Sequence, residues 1–140
     1  MSTVRVLDCP PLRLAPFAPH HLSDAYVGWL NDRTIMRYSE QRHRDHTAAS
    51  CAAYVAGVAA AGNMLWAIEV PEEHNRHIGN ISVTYDRNNA LADIGIVIGA
   101  AIGLFVLNSK TGAIGIACSM AASICGVLLA IAADDEDEFE

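Results

Sequence analysis

Between Ile94 and Ala133 only one residue is charged, Lys110, and the chain then closes on Asp134-Asp135-Glu136-Asp137-Glu138-Phe139-Glu140. A stretch so poor in charge must leave water, either into a protein core or into a bilayer. Eight of the nine Lys and Arg residues precede Asn88. The sequence therefore has three zones: a mixed globular part, an apolar part and an acidic end. Six carboxylates in the last seven residues supply most of the net charge of −7, so residues 1–133 are nearly neutral. That balance excludes a broad basic footprint for nucleic acid. At 140 residues the chain fits one domain, read as residues 1–133, followed by a solubilising tail over 134–140.

Periodicity gives the elements of the first zone. Arg13 to Phe17 alternates around a proline and reads as an edge strand. Pro19-His20-His21-Leu22-Ser23-Asp24 is a turn that offers an N-cap, and Tyr26, Trp29 and Leu30 form the apolar stripe of a helix over Ala25–Asn31. Thr34 to Tyr38 fits either a helical or an extended piece. Thr47 caps a second helix over Ala48–Ala61, with Cys51, Tyr54, Val55 and Val58 as its inner stripe. Gly62-Asn63 ends it. Three strands follow, Met64–Val70, His77–Tyr85 and Ala92–Gly99, joined by the polar turns Pro71–Arg76 and Asp86–Asn89. Strands linked this closely form an antiparallel meander, and with two helices they give an α+β domain.

Residues 100–133 admit three readings. One is a buried strand, Ala113–Met120, followed by a helix, Ala121–Ala132. Another is a spanning helix over Gly112–Ala133, whose 22 residues meet the length a bilayer requires. Its small residues, spaced as in Gly115-x-x-x-Ser119 and Ala122-x-x-x-Gly126, suit close packing in either setting. With Lys110 before it and the acids after it, such a span would leave the N-terminal zone in the cytoplasm. The third is a segment that folds poorly.

The cysteines, Cys9, Cys51, Cys118 and Cys125, show no C-x-x-C pair, and Met1–Pro19 has no signal-peptide pattern. Free thiols in a cytoplasmic protein are expected. Cys118 and Cys125, seven apart, would share a helix face as core. His43-x-x-His46 and His74-x-x-His77 have no cysteine at matching spacing, so no metal is expected. The basic cluster Arg37, Arg42 and Arg44, with His43 and His46, is a solvated face or a small-anion site.

Several segments together, LRLAPFAPHHLSDAYVGWLND, IMRYSEQRHRDHT, NMLWAIEV and HIGNISVTYDRNNALADIGIVIG, resemble GNAT acetyltransferases in order and spacing. The likeness covers about residues 12–99. It is nearest to the branch of ribosomal-protein and sugar-amine N-acetyltransferases. It implies a mostly antiparallel central sheet flanked by helices. It further implies transfer of an acetyl group from acetyl-CoA to the primary amine of a small molecule, amino sugar or peptide, with no metal. After Gly99 the family continues with a Gln/Arg-x-x-Gly-x-Gly/Ala loop, whose backbone N–H groups cradle the cofactor pyrophosphate at a helix start. Here the residues are Ala100-Ala101-Ile102-Gly103-Leu104-Phe105, without the basic residue or the second small one. The C-terminal part is therefore expected to be shortened or atypical. A catalytically inactive remnant or interaction module on the same fold is the competing reading.

The resemblance assigns roles residue by residue. Asp93, opening the third strand, would serve as the base that takes the ammonium proton; otherwise it caps a turn. Ile96, Val97, Ile98 and Gly99 would present backbone groups to the cofactor's pantetheine arm and thioester oxygen. Glu40 would bind or deprotonate the amine, and Tyr38, Gln41 and His43 would line the acceptor side; otherwise the run is a solvated loop. Asn80 would hydrogen-bond substrate, or simply point outward from its strand.

Overall fold

The computed structural model describes residues 4–99. The expectations for residues 100–133, for Cys118 and Cys125, and for the acidic tail fall outside that range. Five strands form one antiparallel sheet in chain order: β1 (Leu7–Cys9), β2 (Leu12–Pro16), β3 (Met64–Val70), β4 (Arg76–Asp86) and β5 (Leu91–Ile98). Two helices, α1 (Asp24–Asn31) and α2 (Ala48–Ala60), enter between β2 and β3. The α+β architecture and the meander read from the sequence are both present. No helix among the described residues is long and apolar enough to cross a membrane.

β3 organises the molecule. It pairs on both sides, and all seven of its residues are buried. Strand alternation sends Met64, Trp66, Ile68 and Val70 to one face, where they join Leu12, Leu14, Ile78, Ile81 and Val83 in an apolar core. Leu65, Ala67 and Glu69 take the other face. There the helices contribute Tyr26, Leu30 and Cys51, joined by Met36 from the intervening loop, with Phe17, Trp29 and Val97 packed around them. α1 starts where Ser23 Oγ accepts the Tyr26 N–H, and α2 where Thr47 and Ser50 cap each other reciprocally.

The β3–β4 pairing contains a bulge. Ile68 lies opposite Gly79 and Glu69 opposite His77, so Ile78 is an extra residue on β4. This one-residue offset keeps Ile78 in the apolar core and turns His77 onto the helix-bearing face beside Glu69. His74 and Asn75, both in the left-handed region, complete the hairpin loop, and Arg76 pairs with Glu73 at 2.8 Å. In the next turn Asp86 Oδ1 accepts the backbone N–H groups of Asn88 and Asn89. The Asn89 side-chain amide, followed by those backbone donors, holds the Asp86 carboxyl below its usual range.

Four details differ from the sequence reading. β2 is not an edge: β1 pairs with its first three residues, ending opposite Leu14, and Pro16 stands beyond that reach. β1 has only three residues, too few to show alternation in the sequence. Thr34–Tyr38 is neither helix nor strand but a run of turns, opened by Asp32 Oδ1 accepting from Thr34 N and Ile35 N at 2.7 and 3.2 Å. On α2 only Cys51 is fully buried; Val55 and Val58 are half-buried, and Tyr54, 47% exposed, lines a cavity over β4 and β5.

Candidate functional site

The loop between α1 and α2 roofs a cavity of about 390 Å³ over the helix-facing side of β4 and β5. Asn80, Ser82, Gly95, Ile96 and Val97 form its sheet wall; Tyr26 and Leu30 of α1, with Ser50, Cys51 and Tyr54 of α2, form the sides; Ser39, Gln41, Arg44, Asp45 and His46 form the roof. The sheet residues belong together by register, since Asn80 faces Val97 and Ser82 faces Gly95. The roof follows a different period. Glu40–His43 is a 3-10 turn, in which residues three apart eclipse each other. Gln41 and Arg44 accordingly share the cavity side, while Glu40 and His43 are both exposed. The loop is pinned at its end by a reciprocal pair: Asn31 Nδ2 donates to His46 O, and His46 N donates to Asn31 Oδ1, both at 2.8 Å. Met36, 2% exposed, anchors its middle.

A buried polar chain lies behind Asn80. Nδ1 of His21 accepts the Ala18 N–H at 2.9 Å, so the ring proton sits on Nε2 and is donated to Glu69 Oε1 at 2.8 Å. Burial, the largest influence, pushes the His21 pKa below its ordinary value of 6.5 against the pull of Glu69. Nε2 of His77 faces two oxygens, Gly79 O at 3.0 Å and Asn80 Oδ1 at 2.8 Å. A carbonyl can only accept, so Nε2 carries the proton and Asn80 must present Oδ1 rather than its NH2. The NH2 end of Asn80 is thereby left as a donor for the cavity. Burial also lowers the His77 pKa, and its Nδ1 is buried with no hydrogen-bond partner. The rings of His21, Trp29, Phe17 and Tyr26 surround it at centroid distances of 5.0, 5.1, 5.9 and 6.0 Å.

His20, His21 and Glu69 offer three ligand atoms within 4.8 Å of one another. Both His21 nitrogens are already committed, however, and 2.8 Å between Nε2 and Oε1 is a hydrogen bond with no room for an ion between them. This trio reads as a hydrogen-bonded strut. Elsewhere in the cavity wall, burial raises the pKa values of the Tyr26 phenol and the Cys51 thiol, keeping both protonated at neutral pH.

The family pattern described as an acetyltransferase (GNAT) domain matches residues 11–129. The chain belongs to the GNAT acetyltransferase family. The match runs through residue 129, beyond Gly99, where the motif-by-motif likeness stops. No individually curated protein matches the chain.

In this GNAT domain the residues singled out from the sequence separate into two groups. Gln41, Asn80, Ile96 and Val97 meet at the one cavity. Asp93 lies opposite Thr84 on the same sheet face as Gly95 and Val97, exposed and one pleat beyond the wall. Ile98 packs instead against the apolar core on the opposite face. Gly99 donates its N–H to Ile78 O at 2.8 Å, and its backbone passes under Trp29 so closely that a Cβ would come within 2.3 Å of the indole. Tyr38 is 85% exposed beneath the Arg37 guanidinium, outside the cavity lining with Glu40 and His43. Sequence reasoning missed Tyr26 and Ser82 as cavity residues, and it read Arg44 and His46 only as part of a solvated face or small-anion site. It also missed the His21–Glu69 and His77–Asn80 contacts. The three-residue period of the Ser39-capped turn was the available signal for Arg44; no local signal exists for His21 and Glu69, 48 positions apart.

Proposed function

We propose that this domain transfers the acetyl group of acetyl-CoA to a primary amine of a small molecule, amino sugar or peptide, in the manner of the ribosomal-protein and sugar-amine branch. The observation that carries the reading is the convergence of Gln41, Asn80, Ile96 and Val97 on one cavity. The acceptor amine occupies this cavity. The acyl-cofactor lies along β5, with backbone groups of Ile96 to Ile98 available to its pantetheine arm, while the Gly99 N–H is already donated to Ile78 O. The amine loses a proton, its nitrogen attacks the thioester carbonyl carbon, the C–S bond breaks, and the thiolate of CoA takes up a proton. Asp93 suits the base better than Glu40, because it shares the sheet face of the cavity wall and Glu40 faces solvent. The Asn80 NH2 group orients the acceptor, and Tyr26, protonated over a wide pH range, is a donor for the thiolate. Residues 1–133 act as one domain of a cytoplasmic protein, and the acidic end plays no part in the chemistry.

Ala100–Phe105 lacks the family's pyrophosphate-binding residues, which favours a second reading, a folded remnant without turnover. A thermal unfolding scan of the full chain with millimolar acetyl-CoA separates the two. About 100-fold excess over Kd adds roughly 2.7 kcal/mol to stability, a shift of several degrees. A shift, followed by acetylation in a primary-amine panel and its loss in Asp93→Asn, supports the enzyme. An unshifted cooperative transition supports the remnant.

A further inference from the structure

A second chamber, of about 240 Å³, adjoins the cavity and shares Leu30, Arg44, Asp45 and His46 with it. Its lining adds Arg33 and Arg42, so three arginines and a single acidic residue, Asp45, surround it. Neither Arg33 nor Arg44 has a side-chain ion pair or hydrogen bond among the described residues. Arg42 is held in place, since its Nη1 donates to the carbonyls of Arg37 and Ser39 at 3.1 and 3.3 Å, and its Nη2 has no partner among the described residues. The fourth arginine of the loop, Arg37, is stacked over Tyr38 and does not line the chamber. The Asn31–His46 pair and the buried Met36 hold this rim in shape before any ligand arrives, which lowers the ordering cost of binding.

We infer that this chamber binds a phosphate monoester carried by the acceptor amine, with Arg33, Arg42 and Arg44 holding the phosphate while the amine reaches into the larger cavity beside Asn80. The inference rests on the acetyl-transfer reading for the fate of the amine, but not for the phosphate contact itself. Charge selects the group: three guanidiniums less one carboxylate leave an excess of about two positive charges, matching a phosphate's charge of about −1.5 to −2 better than a carboxylate's single one. Guanidinium donors suit the phosphate oxygens in geometry as well.

The test is isothermal titration of the full chain with three primary amines of similar length: O-phosphoethanolamine, β-alanine and ethanolamine. O-phosphoethanolamine is expected to bind at least about 10-fold more tightly than either of the others, to be displaced by inorganic phosphate, and to weaken as salt rises. Arg44→Gln and Arg33→Gln, both at exposed positions, are each expected to weaken it by about 10-fold, and Arg33→Gln, outside the larger cavity, is expected to leave ethanolamine unchanged. Arg44→Lys is expected to recover part of the loss. Equal affinities for the three amines, no binding of any, β-alanine binding as well as the phosphate ester, or indifference to both Gln substitutions would each overturn the inference. A parallel titration with acetyl-CoA keeps the two readings apart. Loss of acetyl-CoA binding with the arginine-dependent phosphate preference intact defeats only the enzymatic reading. Acetylation of neutral amines with no such preference defeats only this inference.

Discussion

β3 and β5 are built from similar letters, MLWAIEV and LADIGIVI, and lie two places apart in one sheet, yet they occupy opposite environments. Every residue of β3 is buried. β5 is exposed from Leu91 through Ile96, with Ile94 at 46% and Ile96 at 43%. Position in the sheet accounts for the contrast: β3 is flanked by β2 and β4 and lies beneath the helices, while β5 pairs with β4 alone among the described residues. Hydropathy predicts that a segment is extended; its neighbours determine whether that apolar surface contributes to stability. β3 thus forms the buried centre of the sheet, while β5 contributes Gly95, Ile96 and Val97 to the cavity lining.

The contrast is tested most strongly at Ile68, which has no exposed surface. Ile68→Ala is expected to cost roughly 2–5 kcal/mol in denaturant unfolding, and a cost near zero would break the distinction. Gly79→Ala tests the link between the two strands. A Cβ there would stand 2.4 Å from the Val97 carbonyl, so about 1–3 kcal/mol is expected to be lost, with Val97 displaced from the cavity wall. A third test concerns the polar groups buried beside β3. His21 and His77 are neutral in the fold with lowered pKa values, so the unfolded chain takes up protons first. Their stabilisation is full above about pH 6.5 and declines as the pH falls below it. The melting temperature is therefore expected to drop between pH 7 and 5, and His77→Asn to flatten that profile. Smallest of all, Ile94→Ala is expected to change stability by about 0.5 kcal/mol or less, although its register partner Val83 is 1% exposed.

The sequence was most legible where one local force dominated. β3 has the predicted limits, β5 is displaced by a single residue, Thr47 acts as the N-cap it was read to be, and the Pro19–Asp24 turn supplies the other cap through Ser23, one residue earlier than a helix starting at Ala25 requires. It was least legible where neighbours or turn geometry decided. β1 is too short for a pattern, and its presence removed β2 from the sheet edge. Tyr54 carries the helical spacing of Cys51 but borders the open cavity and is 47% exposed. In the candidate site, reading residues 38–43 as a continuous acceptor strip treated a 3-10 turn as if all its side chains faced one way. Its period of three selected Gln41 and turned Glu40 and His43 outward. The bulge at Ile78, which aligns His77 with Glu69, comes from pairing between strands and has no signature in either strand alone.

The meander also sets an order of assembly. β3, β4 and β5 are joined by short turns, and their contacts are local in sequence. Pairing β2 with β3 instead brings Arg13 to Glu69 and closes a long loop that contains both helices and the arginine-bearing turn. Local hairpins close fastest, and long loops are slowed by their closure entropy. The three-stranded ribbon is therefore expected to form before β2 docks on β3 and closes the loop that carries the roof. Hydrogen exchange in the native state should follow the same sequence in reverse, with the roof opening before the ribbon.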